Sequence, residues 1–155
     1  MNRILFASAL VGLAMVFGAG LASAQQSGTA TEAKAMLDNA VVALKANQVT
    51  ALAQFNDKNN KQFHDRDLYV FCYNMSDGKF TAHTNPALMG TDVRNVKDRD
   101  DPLGQRGYDI SRGVPEGGLG INEYNFPKPG TTEYVPKVSF VTRVGGQGCG
   151  VGYYK

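Results

Sequence analysis

The residues best suited to chemistry lie on two β-type runs, "LYVFCYNM" (68–75) and "PKVSFVTRV" (136–144). Strand alternation sorts the first into Leu68, Val70, Cys72 and Asn74 on one face and Tyr69, Phe71, Tyr73 and Met75 on the other. In the second, Lys137, Ser139, Val141 and Arg143 oppose Val138, Phe140, Thr142 and Val144. The apolar faces suit packing under a helix. The aromatic side, with Lys137 and Ser139, suits a small-molecule pocket of aromatic walls and a few placed polar groups. A plainer reading makes the aromatics core and leaves Lys137 in solvent, and residue types alone keep both open.

Other chemistries find no footing. The chain has no G-x-S-x-G, no Cys/His nucleophile pair and no P-loop. Its two cysteines (Cys72, Cys149) and two histidines (His64, His83) show no C-x-x-C or H-x-x-x-H spacing, so no metal site is expected. Asp77, Asp92, Glu116 and Glu123 fall at turns or exposed strand positions, and "KDRDD" (97–101) reads as a solvated turn. "GVPEGGLG" lacks the strand and helix that a dinucleotide fingerprint requires. Neither catalysis nor a cofactor is therefore expected. The formal charge of +2 falls to +1 without Arg3, which gives no basis for a nucleic-acid partner.

The N-terminus sets the compartment. Arg3, an apolar run from Ile4 to about Phe17, and Ala22-Ser23-Ala24 form the three regions of a secretory signal peptide over residues 1–24. Small residues toward its end make a retained membrane anchor the weaker alternative. Cleavage at about Ala24 would leave 131 of 155 residues, one domain able to bury its own core, in the periplasm or secreted. Two cysteines exported to an oxidising compartment favour a disulfide over free thiols.

Positioning elements follow in order. Residues 25–30 are small and polar and are expected to be disordered. Thr29-Ala-Thr-Glu32 has the form of a capping box. Behind it Ala33, Met36, Leu37, Ala40, Val41 and Leu44 recur on one face of a helix of about four turns. A shorter helical piece carries Val49, Leu52 and Ala53, with Phe55 a further candidate for its apolar face. Two strands follow, joined at Ser76-Asp77-Gly78-Lys79 by a D-G turn. Some thirty-five residues without periodicity come next, whose apolar members (Leu88, Met89, Val93, Leu103, Tyr108, Ile110) point to an ordered lid. Strands at 121–126, 136–144 and 148–155 close the chain. Helix first and strands after argue for an α+β fold with an antiparallel sheet.

With these pieces in place, the chain resembles a single Cache domain of the second type. The resemblance rests on "DLYVF" followed by D-G, on the H-x-N-P-x-L-x-G segment at His83–Gly90, and on P-K-x-S-F-V at Pro136–Val141, in that order. It covers the mature chain, 31–155 as one domain. It implies a PAS-like fold: a long N-terminal helix on a five-stranded antiparallel sheet of order 2-1-5-4-3, with a ligand pocket on the other face. It implies a non-catalytic periplasmic sensor domain, for which a short organic acid is the expected ligand. A membrane receptor or histidine kinase, and a second copy of the chain, are the expected partners. The alternative is an adaptor docking on such a receptor with no small-molecule ligand. Two departures stand out: there is no Trp, Tyr124 and Phe126 taking the third-strand positions, and "GGQGCG" carries a cysteine.

The implied strand order makes strands 1 and 5 antiparallel neighbours, which brings Cys72 opposite Cys149 and predicts a structural cross-strand disulfide. For a small carboxylate, Lys137 would supply the charge, and Tyr124, Tyr73, Ser139 and His83 the directed hydrogen bonds. Phe71, Phe126, Tyr108 and Arg94 complete the expected surroundings. His83 has a simpler possible task, capping the Asn85-Pro86 turn.

Overall fold

The first ordered turn is built as its sequence implies. In the computed structural model, which describes residues 27–155, Thr29 caps α1 (Ala30–Ala46) through a reciprocal capping box with Glu32. The signal-peptide stretch 1–24 and residues 25–26 lie outside the described residues. The rest of the segment expected to be disordered is tied down: Gly28 N donates to Asp67 Oδ1 at 2.6 Å, and Lys128 Nζ to Ser27 Oγ at 2.9 Å. No helix among the described residues is long and apolar enough to cross a membrane.

On α1 the buried stripe is Ala33, Met36, Leu37, Ala40 and Leu44, with Val41 at its margin. After Asn47, whose side chain caps the next helix, α2 (Gln48–Asn56) turns only part of the expected face inward, Phe55 with Leu52 at its margin. Ala51 and Phe55 are buried, whereas Val49 is 79% exposed. Nine residues give too few apolar repeats to fix a face.

The strands are β1 (His64–Asp65), β2 (Leu68–Asn74), β3 (Phe80–Ala82), β4 (Gly120–Pro127), β5 (Tyr134–Val144) and β6 (Gln147–Tyr154). Their order is β1-β2-β6-β5-β4, all antiparallel, with β3 also on β2. The implied five-strand order is present as β3-β2-β6-β5-β4, and the two-residue β1 is an addition. Leu68, Val70, Cys72, Val144, Cys149 and Val151 face α1 and α2 in one core. Within it Cys72 and Cys149 are in register and joined by a disulfide, their Cα atoms 4.1 Å apart. Narrow, non-hydrogen-bonded pairs of an antiparallel ladder bring Cα atoms to about 4.5 Å, close to what the bridge needs.

The opposite face is covered by residues 83–119. The segment contains two 3₁₀ turns (Pro86–Leu88, Val93–Asn95) and a helix, α3 (Leu103–Gly113), which the sequence reading did not anticipate. Glycines hide this helix, since each lowers propensity by about 1 kcal/mol, and Pro102 gives no side-chain cap. The glycines permit its docking. A Cβ on Gly104 would lie 1.9 Å from the Val93 carbonyl oxygen, and one on Gly107 2.9 Å from Asn122 Nδ2. Gly104→Ala should therefore destabilise the protein by about 2–3 kcal/mol despite alanine's better propensity. Urea unfolding measures it, and an unchanged or raised midpoint would refute the packing argument.

Candidate functional site

The face under the lid is made by alternation on four strands. β2 contributes Tyr69, Phe71 and Tyr73; β5 contributes Lys137, Ser139 and Val141; β4 contributes Asn122, Tyr124 and Phe126. Between β2 and β5 lies β6, which presents Gly148, Gly150 and Gly152 before Tyr154. The glycines make room. A Cβ at Gly148 would meet the Tyr73 ring at 2.3 Å, at Gly150 the Phe71 ring at 2.5 Å, and at Gly152 Lys137 Cε at 2.3 Å. Gly-x-Gly-x-Gly along a strand is thus the sequence signature of large side chains folded across it.

Lys137 lies inside this layer with only 1% of its surface exposed. Its ammonium donates to Tyr69 Oη at 3.0 Å and Tyr154 Oη at 3.3 Å. It stands 4.3 Å from the Tyr69 ring centroid, 4.7 Å from that of Tyr154 and 5.4 Å from that of Phe126. Three rings and two hydroxyls thus surround a cation that makes no ion pair among the described residues. Burial pushes its pKa down to about 7, against a pull upward from the Asp67 carboxylate. The reading that leaves Lys137 in solvent is excluded.

Next to the cage is a small cavity of about 40 Å³, walled by Tyr69, Phe71, Tyr124, Phe126, His83 and lid residues that include Val93 and Gly104. At ~10–15 Å³ per water this is room for roughly three waters. Lys137 and Ser139 do not line it; they stand behind two tyrosines that do. Tyr124 Oη and Ser139 Oγ share a 2.6 Å hydrogen bond, and burial raises the Tyr124 pKa to about 12. Tyr69 Oη accepts from Lys137 and also meets the hydroxyls of Tyr154 and Thr84, and burial holds it protonated. His83 Nδ1 accepts the Asn85 backbone N–H at 2.9 Å, so the ring proton sits on Nε2. Burial, with Lys137 nearby, lowers the His83 pKa to about 3 and keeps the ring neutral. The turn-capping task and an available donor coexist on this one ring.

The remaining expected residues separate. Phe71 and Phe126 wall the cavity. Tyr73 touches it with its ring, but its hydroxyl meets Ser111 Oγ at 2.7 Å and donates to Gly107 O at 3.1 Å, anchoring α3. Tyr108 donates to Met75 O at 2.7 Å, and Arg94 pairs with Asp92 while lying 5.2 Å over the Tyr108 ring, so both fasten the lid. Tyr69, Tyr154 and Asn122 were absent from the expected set. Alternation had placed Tyr69 on the right face, and Tyr154 stands opposite Lys137 in the ladder. Asn122 is buried, donating to Leu103 O and accepting from Arg106 Nε, which joins the lid to β4.

Comparison with known proteins agrees with this architecture. The family model described as Single Cache domain 2 matches residues 15–153. No curated protein is matched. Among solved structures, a methyl-accepting chemotaxis protein from Vibrio parahaemolyticus RIMD 2210633 superposes with a TM-score of 0.64 at 23% identity, over 80% of this chain and 86% of that one. A periplasmic sensor domain of a chemotaxis protein gives 0.59 at 26% identity, over 77% and 85%. A structure described as the basis for carboxylic acid recognition by a Cache chemosensory domain gives 0.58 at 25% identity, over 77% and 83%.

Proposed function

The chain belongs to the single Cache domain 2 family, and on that premise we propose that it is a non-catalytic periplasmic sensor domain for a carboxylic acid of two or three carbons. The observation that carries the proposal is the buried, unpaired ammonium of Lys137 behind a cavity with room for about three waters. A carboxylate there would gain the charge that the protein leaves uncompensated. Tyr69, Tyr124 and His83 line the same cavity, and a bound carboxylate would draw the two tyrosine hydroxyls from their present partners and accept from His83 Nε2, with Lys137 sharpening the Tyr69 hydroxyl as a donor. The aromatic walls would take the short alkyl part. The similar domain described as recognising carboxylic acids supports the ligand class. Export with cleavage near Ala24 and a membrane receptor or kinase as reader of the bound state complete the proposal.

Thermal unfolding against acetate, propionate, lactate, pyruvate, succinate and amino acids tests it. A ligand at 100 times its Kd stabilises by about 2.7 kcal/mol, which for this size raises Tm on the order of 10 °C. The expected winner is a two- or three-carbon monocarboxylate, with succinate weaker because the cavity is too small. If none shifts Tm, the adaptor reading takes its place.

A further inference from the structure

Outside the small cavity lies a second concavity of about 820 Å³, a volume typical of sites for larger ligands. It shares Tyr69, His83, Leu88, Val96 and Phe126 with the inner cavity, so it stands at its mouth. Its charge is one-sided. Lys58, Lys61, Arg66, Lys97 and Lys128 line it against a single carboxylate, Asp92, which Arg94 already neutralises. Arg66 is paired with Glu32 and Asp65, and Lys128 stands 3.8 Å from Asp67, but Lys58, Lys61 and Lys97 make no ion pair among the described residues. In a chain whose formal charge is only +2, this gathers the positive charge in one place. Pro86, Pro127, Pro129 and Tyr134 supply an apolar wall beside the cations.

We propose that this cleft is a second, outer binding site, for a multiply charged organic anion of the di- or tricarboxylate class that is too large for the inner cavity. Concave, low-dielectric walls focus the field of the lysines, so a polyanion gains where a monocarboxylate gains little. The site does not depend on the nature of the inner ligand.

The test uses citrate as the probe, followed by backbone amide NMR shifts of the protein, with sodium chloride at matched ionic strength and inorganic phosphate as parallel titrations. Saturable shifts are expected at residues 58, 61, 66, 97 and 128, with Ser139 and Asn122 unmoved. The combined Lys58→Glu, Lys61→Glu, Lys97→Glu variant alters only exposed side chains and should keep its Tm while binding citrate at least tenfold more weakly. Phosphate matching citrate would reduce the site to a general anion site and overturn the polycarboxylate assignment. Shifts equal to those in chloride, or citrate binding retained by the variant, would overturn the site itself. Shifts at Ser139 and Asn122 would place citrate in the inner cavity and contradict both size arguments, whereas a failed thermal panel with citrate still bound at the cleft would sink only the inner-site reading.

Discussion

Replacing Lys137 with methionine should make the ligand-free protein more stable, by about 2–3 kcal/mol at pH 7, and abolish its response to short acids. Moving a lysine from its ordinary value of 10.5 to about 7 corresponds to a folding penalty of up to about 5 kcal/mol. Cation–π attraction to the three rings offsets about 2 kcal/mol of this, and the hydrogen bonds to Tyr69 and Tyr154 part of the remainder. Methionine fills a similar volume with no charge to desolvate. The sign with pH is fixed by the direction of the shift. Below about pH 7 both folded and unfolded states hold the proton and the penalty is complete. Between about pH 7 and 10.5 the unfolded state binds the extra proton, so wild-type stability rises with pH and the variant's advantage shrinks. Guanidinium unfolding of both proteins at pH 7 and 9 measures this. A variant less stable than wild type at pH 7 would mean that the cage welcomes the cation without a ligand.

Loss of the Cys72–Cys149 bridge should act in the opposite direction and by more. The two cysteines close a loop of 77 residues, for which chain entropy gives about 4 kcal/mol. Both side chains are wholly buried, in the core that α1 covers. The bridge also pins β6, whose three inward glycines make it an entropically expensive strand to order. A Cys72→Ala, Cys149→Ala variant should lose on the order of 10–15 °C in Tm. A drop of less than about 3 °C would show that the sheet needs no such staple.

How far the sequence reaches depends on the element. The α1 stripe, its capping box, the Asp77-Gly78 turn and the face assignments of β2 and β5 follow from period and turn chemistry, and the structure has them all. α3 was illegible because Gly104 and Gly107, which let it approach Val93 and Asn122, are the residues that argue against a helix. Strand order came from the family resemblance, since period-2 patterns say which face a residue occupies and not which strand lies beside it. The same limit governed the site. Alternation put Lys137, Ser139, Tyr69 and Tyr73 on one face, but only three-dimensional register separates Tyr69, which meets the ammonium, from Tyr73, which holds the lid. Tyr154 could have been found from the Gly-x-Gly-x-Gly run before it, which marks the strand that large side chains cross.

The central claim is that a short carboxylate is held through the protonated form of Lys137. Calorimetric titration at pH 6.5 and 8.5 with the acid giving the largest thermal shift tests it most directly, run in two buffers of different ionisation enthalpy. With the free ammonium near pKa 7, affinity should fall about 25-fold between these values. At pH 8.5 binding should take up nearly one proton, and Lys137→Met should show no heat. Equal affinity at both pH values with no proton uptake, or binding preserved in Lys137→Met, would contradict it.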